Sequence, residues 1–199
     1  MRKALTSLAL VGAILPTCAN AILIVDTGTP TDATSPYFHS GQYFGGEFSI
    51  VDAYDVSSVE AYFDNGFGTA GDVEVSIHHD GGNVPGAEIY STTINMPVTS
   101  TPDWHGAFGL DWSLAAGTYW VSFIPDGQVS GVMPGSAPNP LDEYAVGMNG
   151  GWLDYGADAF ADLGIGFRID ATTGVPEPST LALMAIGLAG MGFARGKKA

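Results

Sequence analysis

Between residues 22 and 174, apolar residues recur at every second position in short runs, and helical periodicity is nearly absent. Alternation with period two places one set of side chains on each face of an extended strand, so such a chain must build sheets. Val73, Val75 and Ile77 share one face, with Glu74, Ser76 and His78 opposite. Val59 to Phe63 alternates likewise and stops at Asp64-Asn65-Gly66; Ala87 to Met96 stops at Pro97. Phe108, Leu110 and Trp112 share a face, and Tyr119, Val121 and Phe123 continue after the turn at Leu114 to Gly117. A Pro- and Gly-rich loop runs from Pro125 to Pro140. Asn149-Gly150-Gly151, between Tyr144 to Met148 and Trp152 to Tyr155, is a hairpin signal. Leu163 to Ile169 reads as the final strand, and Ile22 to Val25 and Phe48 to Val51 as early ones. About nine or ten short strands at this spacing predict an all-β, antiparallel sandwich of the jelly-roll type, with a closed barrel as the alternative.

The two ends differ from this middle. Arg2 and Lys3 precede an apolar run from Ala4 to Leu15, Pro16 follows, and Ala19-Asn20-Ala21 supplies a small-x-small site. That is the layout of a secretory signal peptide over residues 1–21, its apolar run expected as a signal helix, with Ala19 and Ala21 read by signal peptidase and the mature chain starting at Ile22. Cys18 opens a lipoprotein alternative, but Thr17 stands where a small Gly or Ala is normal.

At the other end, Val175-Pro176-Glu177-Pro178-Ser179 is stiff and extended, because each proline fixes φ and restrains its predecessor. Thr180 to Ala194 carries no charge, and Arg195, Lys197 and Lys198 follow. As a helix, such a stretch of about 15 residues rises about 22 Å, short of the ~30 Å hydrocarbon core. It spans only with local thinning or help from its flanks, and the basic tip predicts a cytoplasmic C-terminus. Pro-Glu-Pro, an apolar stretch and a basic tip in this order resemble the PEP-CTERM sorting signal of Gram-negative bacteria, over residues 175–199. The resemblance implies processing by exosortase, a membrane-embedded cysteine transpeptidase, with Pro176, Glu177 and Pro178 as its recognition residues. It further implies transient anchoring in the inner membrane, then release to the cell surface or extracellular matrix.

Within the middle, Ile77 to Ile89 with its Pro85-Gly86 corner, and Trp112 to Ser122 with Gly-Thr-Tyr-Trp, resemble the "choice-of-anchor" β-sandwich domains. That resemblance implies a fold and no activity.

Residues 22–174 number 153, enough for one domain with a sizeable core. Arg168 is its one basic residue among twenty carboxylates, a formal charge of −19. Such a field repels phosphate backbones and excludes nucleic acid as a partner. The segment has no cysteine, which rules out disulfides and thiolate metal sites within it.

For chemistry, His78-His79 is the tempting pair, yet neighbours on a strand point to opposite faces unless a bulge intervenes. No serine sits in a nucleophile elbow, and twenty carboxylates nominate no particular pair for glycoside hydrolysis. The reading is therefore non-enzymatic, with a carboxylate-dependent polysaccharide hydrolase or lyase as the alternative. Calcium is a candidate stabiliser, because Asp64 with Asn65, Asp80 with Asn83, and Asp154, Asp158 and Asp162 gather hard oxygen ligands in loops. Tyr37, Phe38, Tyr43 and Phe44, and Trp104, Trp112, Trp120 and Trp152, are candidate stacking surfaces for polysaccharide, although most such rings belong to a core.

Overall fold

A computed structural model describes residues 21–32, 36–148, 150–154 and 163–173. Residues 1–20 of the signal peptide, the sorting tail, Asp158 and Asp162 lie outside the described residues, as do both helices expected at the termini. Among the described residues no helix is long and apolar enough to cross a membrane.

Two antiparallel sheets face each other. The first orders β1 (Ala21–Asp26), β12 (Phe167–Thr173), β4 (Tyr54–Phe63) and β7 (Asp103–Leu114) side by side. The second orders β11 (Gly151–Asp154), β10 (Tyr144–Met148), β3 (Gln42–Ile50), β8 (Gly117–Pro125), β5 (Gly71–Asp80) and β6 (Pro85–Met96). Two short strands, β2 (Tyr37–His39) and β9 (Ser130–Val132), pair with each other, and β2 joins β3. Expected alternation becomes the core: Val59, Ala61 and Phe63 of β4 and Phe167, Ile169 and Ala171 of β12 point inward. Val73, Val75 and Ile77 of β5 and Tyr119, Val121 and Phe123 of β8 meet them from the other sheet. At roughly 25 cal/mol per Å² of apolar surface removed from water, these faces hold the sheets together without disulfides.

Several boundaries differ from the sequence reading. The final strand is Phe167–Thr173, not Leu163 to Ile169: Leu163 to Gly166 is irregular, and Gly164 has φ of +27°. β3 starts at Gln42 and so includes Gly45 and Gly46, whose low strand propensity hid its first half. The loop from Pro125 to Pro140 contains β9.

The outer face of the second sheet is itself covered. β5 carries bulges on both sides of His78, and the β5–β6 hairpin folds back across β8 until Pro85 packs beside Gly45 of β3. Trp120 is thereby fully buried, its Nε1 donating to Asp80 Oδ1 over 3.4 Å. The same bulged backbone packs His78 inside and leaves His79 exposed, the split expected of strand neighbours.

Strand direction places both ends of the sandwich at one pole. Ala21 of β1 lies opposite Thr172 of β12, and Thr173 lies opposite Tyr54. Loops 64–70, 97–102 and 126–129, with β2 and β9, form the opposite pole.

Candidate functional site

That distal pole is organised around Asp64 and Asn65, where β4 ends. Asn65 is fully buried, and its side chain works in three directions. Its Nδ2 donates to the carbonyls of Thr69 (2.7 Å) and Pro97 (3.3 Å), and its Oδ1 accepts from the Ser130 N–H (2.9 Å). The Asp64 carboxylate accepts from the N–H groups of Val132 (2.8 Å) and Gly66 (3.3 Å). Strand β9 is thus stapled to the β4–β5 loop. The close approach demands glycine: a Cβ at Gly131 would collide with Asp64, and one at Gly68 with Asn65 and Gln128.

Two aromatic rings ride on this scaffold. Tyr37 is held by β2, where it pairs with Val132, and Phe67 donates its N–H to the Ser130 carbonyl (2.9 Å). Their ring centroids are 6.2 Å apart at 54°, yet Tyr37 is 60% and Phe67 67% exposed. Val98, in the loop that Asn65 grips, is 58% exposed. Large rings held open to water by a hydrogen-bonded frame form a preorganised contact surface, since little ordering remains to be done on binding. A second aromatic group lies on the outer face of the first sheet, where Tyr62 and Trp104 are 5.4 Å apart. There the Arg168 guanidinium already sits 3.8 Å from the Trp104 ring centre and bonds Asp26 (3.2 Å). Of the other rings singled out in the sequence, Phe38, Tyr43, Phe44, Trp112 and Trp120 are buried, and Trp152 is half-buried against Tyr43.

The acidic clusters distribute differently from their sequence grouping. Asp64 and Asn65 are occupied as loop clamps. Asp80 Oδ1 accepts from the Gly82 N–H (2.8 Å) and closes the hairpin turn, while Asn83, at φ of +66°, donates to Asp154 Oδ2 (3.1 Å). Two predicted clusters therefore meet at Asn83 and Asp154. Among the described residues no three His, Cys, Asp or Glu side chains are disposed around a common metal position.

Titratable groups are perturbed mainly by burial. His78 donates or accepts 2.9 Å from Ser122 Oγ, and burial lowers its pKa, opposed by the Gly86 backbone and by Glu88 and Glu74. Burial also lowers His105, against the pull of Asp103 and Asp64. Glu47 is pushed up by burial, then by Asp80, Glu143 and Asp142. Glu60 is pushed up by burial and by Asp170 and Asp103, with Arg168 pulling it down. Asp126 is held low by N–H donors from Asp72, Gln128 and Val129.

Sequence reasoning named Tyr37 but missed Phe67. Its signal was present: an aromatic between Gly66 and Gly68, directly after a turn, has no alternating partner to bury it.

A family model for the PEP-CTERM protein-sorting motif matches residues 174–198, immediately after β12. No curated protein matches the chain. The chain carries at its C-terminus a PEP-CTERM sorting motif, which implies export and processing by exosortase.

Proposed function

We propose that this is a non-catalytic surface or extracellular-matrix protein whose sandwich binds polysaccharide through Tyr37 and Phe67. The observation that carries the reading is the exposed ring pair on a rigid frame, at the pole opposite the chain ends. A domain held through its tail would present that pole outward, and aromatic faces stack on the apolar faces of sugars. The −19 field of residues 22–174 favours neutral or cationic polymers over uronates and sulfates. The jelly-roll topology and the "choice-of-anchor" resemblance belong to the same reading. Consecutive strands such as β3, β4 and β5 alternate between sheets, which supports it. Retention of the protein on immobilised polysaccharides tests the function. Specific retention on one polymer supports it, and passage through every column refutes the binding.

Calcium enters as a stabiliser at the corner where Asn83 meets Asp154, close in sequence to Asp158 and Asp162. A melting temperature raised by calcium beyond sodium at equal ionic strength would support it.

A carboxylate-dependent hydrolase or lyase is the alternative. Burial pushes Glu60 and Glu47 up, but Glu60 stands on β4 of the first sheet and Glu47 on β3 of the second, so these two do not form the carboxylate pair such chemistry uses. Release of reducing ends that Glu60→Gln or Glu47→Gln abolishes would establish that alternative.

A further inference from the structure

We propose that the pole carrying both chain ends is a membrane-contacting surface, on which the sandwich rests against lipid while its tail is inserted. The inference builds on the tail as a membrane anchor and adds a role for the folded domain. Ala21 and Thr172 lie side by side, so the signal-cleavage site and the exit toward the sorting motif leave from neighbouring strands. At this pole exposed aliphatic side chains stand among polar ones. Val51, in the β3–β4 turn, is 86% exposed, and Leu23 and Ile22 on edge strand β1 are 47% and 37% exposed. With Ile24, Ile50, Ser49 and Tyr54 they line an open cavity of about 270 Å³.

The length of chain beyond the sandwich fixes what can cover this rim. From Thr173 to Thr180, where the uncharged stretch begins, there are seven residues. Fully extended they reach at most about 25 Å. A headgroup layer is roughly 5–7 Å thick on each side of the hydrocarbon core. An inserted tail therefore keeps the rim within reach of the lipid surface and turned toward it. Three partly exposed aliphatic side chains would bind a membrane weakly by themselves. A tether this short raises their effective concentration to about the millimolar range, where weak contacts are populated. Asp52 beside Val51, and the acidity of the whole domain, select a zwitterionic surface over an anionic one. Contact of this kind would hold Pro176 to Pro178 at a constrained height above the membrane, where a membrane-embedded processing enzyme works.

The test uses the tail-bearing mature chain, residues 22–199, which has no cysteine of its own, reconstituted with phosphatidylcholine vesicles. An environment-sensitive dye is attached at Val51→Cys or, at the opposite pole, at Val98→Cys. The expected result is co-flotation with vesicles, a blue-shifted dye at position 51, and roughly twofold or greater protection there from a water-soluble quencher, as for a side chain at the interface. Co-flotation with equal quenching at both positions would overturn the contact while leaving the anchored tail intact. Failure to float would overturn the anchor and the contact together. Protection at position 51 that appears only when the processing enzyme shares the membrane would assign the rim to that protein and overturn the lipid assignment.

Discussion

Asn65 Oδ1 accepts a 2.9 Å hydrogen bond from the backbone of Ser130, 65 residues further along the chain. With its two Nδ2 bonds, this one buried side chain ties its own loop, the 97–102 loop and β9 together at the distal pole. Asn65→Ala leaves the Ser130 N–H and two carbonyls without that partner at a part-buried site. The expected cost is about 2–3 kcal/mol, given three bonds of net energy near 1 kcal/mol each. Urea unfolding of wild type and variant measures it. A loss below about 0.5 kcal/mol, the range of an ordinary surface change, would contradict the hub.

Acidification should weaken the fold through its buried histidines. Burial lowers the folded-state pKa of His78 and His105 below the ordinary 6.5. The unfolded chain then binds protons first, so their contribution is complete above pH 6.5 and declines as pH falls below it. Melting temperature followed from pH 8 to pH 5 should drop through this window. His78→Gln should flatten the slope, and an unchanged slope would contradict the buried neutral imidazole.

Glu47 and Glu60 act with the opposite sign. Their folded-state pKa values lie above the ordinary 4.5, so the native state holds their protons longer. Their penalty is absent below pH 4.5 and fully present once pH exceeds the raised values. Glu47→Gln and Glu60→Gln should therefore raise the melting temperature at pH 7 and change little near pH 4. Loss of stability at pH 7 would show that these carboxylates are better paired than their surroundings imply.

The Arg168 guanidinium carbon sits 3.8 Å over the Trp104 ring centre, and the group bonds Asp26, both ion-pair partners being partly exposed. The ion pair is worth under about 1 kcal/mol, and the ring contact adds about 0.5–1 kcal/mol. Arg168→Lys should recover only part of what Arg168→Gln loses, because an ammonium cannot lie flat on the indole. Removing the cation should also push Glu60 higher still, which carboxyl titration by NMR reads directly.

How far this molecule was legible from its residues depended on the range of the interactions involved. Val73, Val75 and Ile77 announced their strand because alternation is local, and Gly150-Gly151 announced the β10–β11 hairpin for the same reason. The burial of Trp120 was not legible, because it depends on Pro85 returning to Gly45 across an intervening strand. Asp64 and Asn65 looked like cation ligands because carboxylate and amide oxygens suit calcium and backbone N–H groups equally well. That these oxygens accept the N–H groups of Ser130 and Val132 was not legible, because those donors lie more than sixty residues along the chain. The sorting motif was legible throughout, since an enzyme must read it as local sequence.

The central claim is that Tyr37 and Phe67 form the binding surface, and one affinity measurement tests it. The polysaccharide that retains the wild type is titrated against wild type and the Tyr37→Ala/Phe67→Ala double variant. Both rings are exposed and the change leaves the charge at −19, so the melting temperature should hold. Each anchoring ring contributes about 1–2 kcal/mol, so affinity should fall at least about tenfold. Equal affinity with an unchanged melting temperature would contradict the account.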